Sequence, residues 1–168
     1  MKSNNIVLVG LMGAGKSTVG RELASYLGFS FIDTDDELER RMGVSISVIF
    51  DVEGSEGFRL RETKVIADMP EQKNAVISTG GGAVIKKENR EYLKRCGKVV
   101  YLSASIDVLF ERTKHSKKRP LLQKEDIRKT IQNLLSEREE WYLDIADIVI
   151  ESGKNSPKEM AKKIANRL

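Results

Sequence analysis

Apolar positions along the chain alternate between two kinds of run. Residues 6–9 (IVLV), 30–33 (SFID), 75–78 (AVIS), 98–103 (KVVYLS) and 147–150 (DIVI) are short, mostly apolar blocks of strand length. Between them the apolar residues recur at helical spacing: Val19, Leu23, Tyr26 and Leu27 stand at i, i+4, i+7 and i+8, and Gly28 follows where a C-terminal cap belongs. Helices are expected near residues 16–27, 36–42, 46–53, 56–69, 86–95, 106–113 and 125–141. A last one begins at Ser156-Pro157-Lys158-Glu159, which offers a serine cap, a first-turn proline and a capping-box glutamate. Strands apolar along their length, separated by helices, predict an α/β fold with a parallel sheet covered on both faces, a three-layer α/β/α arrangement. With no repeat, low-complexity tract or Pro/Gly linker, residues 1–168 are expected to form one domain.

Composition narrows this picture only a little. Apolar residues make up 40% and charged residues 32%, as in a globular protein with a substantial core. The lone Cys96 has no internal disulfide partner, residues 1–5 contain no apolar signal core, and no run approaches 18 apolar residues. A cytoplasmic enzyme with no membrane contact is expected. A net charge of +4 suits anionic small molecules and argues little for nucleic acid.

The first strand block leads into specific chemistry. Gly10-Leu11-Met12-Gly13-Ala14-Gly15-Lys16-Ser17 has the P-loop spacing of Gly, four residues, Gly-Lys-Ser, and it lies between strand and helix as that motif requires. Gly10, Gly13 and Gly15 permit backbone shapes in which successive N–H groups surround phosphate oxygens. The following helix N-terminus adds partial positive charge. Lys16 is a cation for the β- and γ-phosphates, and the Ser17 hydroxyl is a ligand for Mg²⁺. The chain is therefore expected to bind a nucleoside triphosphate.

In open parallel sheets ligands sit beyond the carboxyl ends of the strands, so residues that follow a strand become candidates. Asp33-Thr34-Asp35 closes the second strand. On an extended chain its two carboxylates project to one side, where one can position Mg²⁺ and the other accept a proton; helix capping is the alternative. Thr79-Gly80-Gly81-Gly82 follows the third strand and would let a ligand lie against backbone N–H groups. Arg59 and Arg61, on a helix with Val65, Ile66 and Met69 as its apolar stripe, read from the residues alone as surface charges or as helical partners of Glu62 or Glu56. Arg138, three residues past Leu135, reads in the same way, and Trp141 reads as core. Residues 112–122, RTKHSKKRPLL, carry five basic residues in the first eight and no acid, a mobile lid over the triphosphate. No aromatic interrupts the basic run to stack a base, which disfavours nucleic acid, and His115 has no histidine partner for a metal site. Asp51-Val52-Glu53-Gly54 imitates a GTPase switch motif, but it falls where a helix ends and no guanine-reading Asn-Lys-x-Asp accompanies it.

Taken together, Gly10-Leu-Met-Gly-Ala-Gly-Lys-Ser-Thr18, Asp33-Thr-Asp35, Phe58-Arg59, Thr79-Gly-Gly-Gly82, Arg119-Pro-Leu-Leu122 and Ser136-Glu-Arg138 resemble the shikimate kinases in order and spacing over essentially the whole chain. The resemblance implies a nucleoside-monophosphate-kinase-like P-loop fold with a five-stranded parallel sheet in the order 2-3-1-4-5. It implies transfer of a phosphoryl group from ATP to the 3-hydroxyl of shikimate, in aromatic amino-acid biosynthesis; separately, adequate core patterning and short connections point to a monomer. Carried onto this chain, Gly13, Ala14, Gly15, Lys16, Ser17 and Thr18 would hold ATP, with Arg112 beside the adenine. Ser17 and Asp33 would handle Mg²⁺. Asp35 would bind the substrate hydroxyls as candidate base, Arg59 and Arg138 would grip the carboxylate, and Gly80, Gly81 and Gly82 would line the site. Lys16 and Arg119 would stabilise the transferring phosphoryl group. Residues 33–61 would form the substrate-binding segment. Near the end, Lys154-Asn155 stands where many relatives place an arginine by the adenine. A kinase of another polyol acid such as gluconate and a non-enzymatic nucleotide switch are the competing readings.

Overall fold

A computed structural model describes residues 3–116 and 126–168. Five parallel strands, β1 (Asn5–Val9), β2 (Ser30–Asp33), β3 (Ala75–Ser78), β4 (Gly97–Ser103) and β5 (Ile148–Glu151), form one sheet in the order β2-β3-β1-β4-β5. Register aligns their carboxyl ends: Leu8 lies opposite Ser78, Asp33 opposite Ser78, Val9 opposite Tyr101 and Ser103 opposite Glu151. The helices are α1 (Lys16–Leu27), α2 (Thr34–Met42), α3 (Ile46–Ala67), α4 (Lys87–Cys96), α5 (Ile106–Thr113), α6 (Ile127–Ile145) and α7 (Pro157–Ala165).

The period of two along β1 builds both cores. Ile6 and Leu8 pack with Leu23, Val100, Ile131 and Ile164 on one face, while Val7 and Val9 pack with Phe58, Ile66, Leu93 and Tyr142 on the other. The central strands β1 and β3 are buried along their whole length while the edge strands β2 and β5 stay partly exposed, and burial of the central strands is the main force holding the layers together.

The element boundaries follow local chemistry. Gly28 caps α1 with φ 69° and donates to Ala24 and Ser25, and α7 has the full capping box between Ser156 and Glu159. The two helices expected over residues 46–69 run together as α3, but the run breaks at Gly54, whose φ of 70° and ψ of −176° lie outside helical geometry. Helix α2 begins at Thr34, two residues earlier than expected, so Asp35 lies in its first turn and not on an extended strand end. Helix α5 includes Arg112, which places that residue on a helix and not within the lid. Arg119 and the rest of the expected lid from 117 onward lie outside the described residues. Among the described residues, no helix is long and apolar enough to cross a membrane.

Candidate active site

The strand ends and the helices that follow them enclose a cleft of about 920 Å³. Its floor is the phosphate loop. Gly15, the residue before α1, adopts φ 96°, a left-handed value that a side chain would strain, and the loop turns there into the helix. Lys16 is nearly buried and its Nζ donates to the carbonyls of Gly10 (2.6 Å) and Leu11 (3.0 Å), folded back over the loop that it serves. Gly13, Gly15, Ser17 and Thr18 line the cleft. Ala14 lies behind them, fully buried, its N–H donated to Leu11.

Beside the loop, oxygens gather. The Ser17 hydroxyl donates to Asp33 Oδ2 at 2.6 Å and lies 3.3 Å from Ser78 Oγ. The other oxygen of Asp33 caps α2, accepting from the N–H groups of Asp35 (2.9 Å) and Asp36 (3.2 Å). The helix cap, set on sequence grounds against a metal- or proton-handling role, is made by Asp33, whose second oxygen is turned to the Ser17 hydroxyl. A serine hydroxyl and a carboxylate at a helix N-terminus are hard oxygen donors of the kind Mg²⁺ takes alongside phosphate oxygens and water, so the residues present fit that ion. Among the described residues no cluster of three His, Cys, Asp or Glu offers an all-protein metal cage.

Asp35 lies in the first turn of α2. A Cβ built on Gly80 would lie 2.9 Å from Asp35 Oδ1 and 3.2 Å from Glu62 Oε2, so two carboxylates converge on this glycine. Burial, reinforced by Glu62 and Asp33 and opposed by Lys16 and Arg59, raises the Asp35 pKa to about 7. Glu62 is buried, and its Oε1 accepts from Arg59 Nη1 at 2.8 Å. Burial raises its pKa too, against the pull of Arg59. Two carboxyl groups raised chiefly by burial, one of them also by the other's charge, at the end of a cleft make this a candidate functional site.

Two of the three arginines read from the residues alone as surface charges are corrected here. The Arg59 side chain is 13% exposed and lies against Gly82 so closely that a Cβ there would overlap its guanidinium. Arg138 is 3% exposed, its Nη1 lies 3.5 Å from where a Gly81 Cβ would be, and its buried Nε has no acceptor among the described residues. A buried guanidinium with an unmatched donor on a cleft wall asks for an anion. Arg61, by contrast, is at the surface, paired with Glu53 at 2.6 Å. Trp141 packs against the core and beneath Arg90, as its reading required.

Arg112 Nη1 donates to the carbonyls of Gly13 (3.1 Å) and Ala14 (3.2 Å) and to Ser152 Oγ (3.0 Å), and Nη2 donates to Gly153 (3.2 Å). It ties the loop to the segment holding Lys154-Asn155. Several contributors had no sequence signal strong enough to single them out. Thr34 Oγ1 accepts from Gly80 N–H at 3.3 Å, Tyr142 donates its hydroxyl to Gly81 at 2.5 Å, and Ser78 completes the oxygen cluster. Glu62 was visible only as a helical partner of Arg59.

Known proteins resemble this chain over nearly its whole length. The family model described as Shikimate kinase matches residues 12–168. A shikimate kinase of Nitrosospira multiformis is 49% identical over 99% of this chain and 85% of its own length, and one of Histophilus somni is 50% identical over 97% and 94%. The solved structure described as shikimate kinase from Acinetobacter baumannii in complex with shikimate superposes with a TM-score of 0.96 at 44% identity, covering 98% of this chain and 92% of that one. With the sheet order, the phosphate loop and near-full-length similarity in agreement, the chain belongs to the shikimate kinase family.

Proposed function

We propose that Lys16, Asp35, Arg59 and Arg138 carry out the reaction of the family, transfer of the γ-phosphoryl group of ATP to the 3-hydroxyl of shikimate to give shikimate 3-phosphate and ADP. The chain is an ATP-dependent kinase of aromatic amino-acid biosynthesis. The observation that carries the assignment of roles is the burial of two guanidinium groups against the Gly81-Gly82 wall, facing the same cleft as the phosphate loop.

The clamp comes first. Planar guanidinium groups hold a carboxylate with paired hydrogen bonds, which fixes the acceptor ring and not merely its charge. Glu62 keeps Arg59 in place before substrate arrives, so little ordering is left for the binding step. Asp35, which lines the same cleft, is assigned to the ring hydroxyls. With a pKa near neutrality it binds the attacking hydroxyl as a carboxylate and takes its proton as the oxygen–phosphorus bond forms.

The nucleotide's phosphates replace the loop carbonyls as acceptors for Lys16, which then stabilises the negative charge that builds on the β,γ-bridging oxygen as it departs with ADP. Ser17 and Asp33 would hold Mg²⁺, which when bound neutralises charge on the β- and γ-phosphates. Arg119 is assigned to the same charge from the lid. Positioning and electrostatics of this kind are most of what phosphoryl transfer requires. We assign the enzyme to the cytoplasm as a monomer free of membrane and nucleic acid.

The test is ADP release from MgATP with shikimate, quinate or gluconate as acceptor. Shikimate-dependent release with a phosphorylated product is expected. Release that follows gluconate instead would move the acceptor, and nucleotide binding without any acceptor-dependent release would turn the chain into a switch.

A further inference from the structure

Ser152 lies just beyond β5, far from the acceptor side of the cleft, and the reaction described above makes no use of it. It is 3% exposed. Its N–H donates to Ser103 at 2.6 Å, which continues the β4–β5 ladder by one step and fixes its backbone. Its hydroxyl then does two things at once. It donates to the Ala14 carbonyl at 2.8 Å and accepts from Arg112 Nη1 at 3.0 Å, while Arg112 Nη1 also reaches Ala14 at 3.2 Å. The three groups form a closed triangle behind the phosphate loop.

The target of that triangle is one peptide unit. A peptide is planar and trans, so its C=O and N–H point in opposite directions. The Ala14 carbonyl shares its plane with the Gly15 N–H, and Gly15 lines the cleft where phosphate is expected. Holding the carbonyl backward therefore holds the N–H forward. The hold is needed because the plane ends on Gly15, at φ 96°, and glycine admits the rotated alternative at little cost. A loop whose amides must converge on an anion loses affinity whenever one of them turns away.

We infer that Ser152 is a positioning residue for the nucleotide: through the Ala14 carbonyl it locks the Ala14–Gly15 peptide with its N–H facing the phosphates. The inference rests on the reading of the loop as the ATP site. It assigns to the last strand of the sheet a role in the phosphate end of the pocket, which neither its distance along the chain nor any motif announces.

The experiment compares wild type, Ser152→Ala and Ser152→Thr by calorimetric titration with MgADP, by KM for ATP and for shikimate, and by thermal midpoint. Threonine keeps the hydroxyl. Loss of one of two supports to the carbonyl is expected to weaken MgADP binding and raise the ATP KM by about three- to tenfold in Ser152→Ala. The shikimate KM and the kcat at saturating ATP should stay within about twofold. Ser152→Thr should restore ATP KM to near wild type. Unchanged MgADP affinity in Ser152→Ala overturns the inference, as does an equal rise in both KM values, or a threonine variant as weak as the alanine one. A fall in thermal midpoint without selective loss on the ATP side would reduce Ser152 to a structural residue and overturn it equally. Wild type that binds no nucleotide would overturn the functional reading and this inference with it; wild type that binds while Ser152→Ala binds as well removes this inference alone.

Discussion

Asp35 is where stability and catalysis pull against each other. An aspartate with an ordinary pKa of 3.8 in the unfolded chain and about 7 in the fold binds its proton more tightly when folded. Its favourable contribution is complete below pH 3.8 and is lost as pH rises through 7, because above that value the fold must hold the carboxylate ionised beside Glu62 and Asp33. Asp35→Asn removes the charge. Its thermal midpoint should gain on wild type progressively from about pH 4 to pH 7 and hold that gain above, as melts across that range would reveal. The same variant should lose at least a hundredfold in turnover while MgADP affinity changes less than twofold. Near-normal turnover would reject the proton-accepting role. The acid limb of the wild-type kcat/KM profile should fall near pH 7 for the free enzyme.

At the scale of elements, the site depends on how closely they approach. Gly82 follows β3 so near to α3 that an added methyl would occupy the Arg59 guanidinium. Because the obstructing atoms are the far end of a flexible side chain, Gly82→Ala should displace the arginine and leave the fold standing. Shikimate KM should rise about tenfold, in the range for a lost charged hydrogen bond, with ATP KM unchanged. Ser156→Ala tests the opposite end of the molecule's chemistry: loss of the α7 capping box should cost about 1 kcal/mol in denaturant unfolding and leave kinetics alone. These elements were legible to different degrees. The α7 cap, the strand ends and the phosphate loop were readable because each is a local pattern, complete within about eight residues. Arg59 and Arg138 were not, because a helix's polar face looks alike in sequence whether it meets water or a cleft wall built from another part of the chain. Resemblance to a family supplied what periodicity could not. Asp33 and Asp35 were found for a partly wrong reason: they meet because the helix starts at Thr34, not because the strand continues.

For the whole molecule, apolar layers pack on both faces of one sheet, and we expect the chain to sediment as a monomer of 18.9 kDa at micromolar concentration, a value that a dimeric mass would contradict. The sheet order expected from the resemblance is the one observed, β2-β3-β1-β4-β5. All five strands run the same way, so the molecule has a working rim and an idle one. Lys73 is exposed on the idle rim, two residues ahead of β3, a strand length of roughly 13 Å from the cleft floor. The native thiol, Cys96, is buried and pushed up to about 12, so it resists alkylation at neutral pH. A Lys73→Cys variant should therefore accept one maleimide dye per chain, countable by mass, and keep its turnover. The fold's polarity thus provides a handle for tethering or single-molecule observation on the side where no ligand enters.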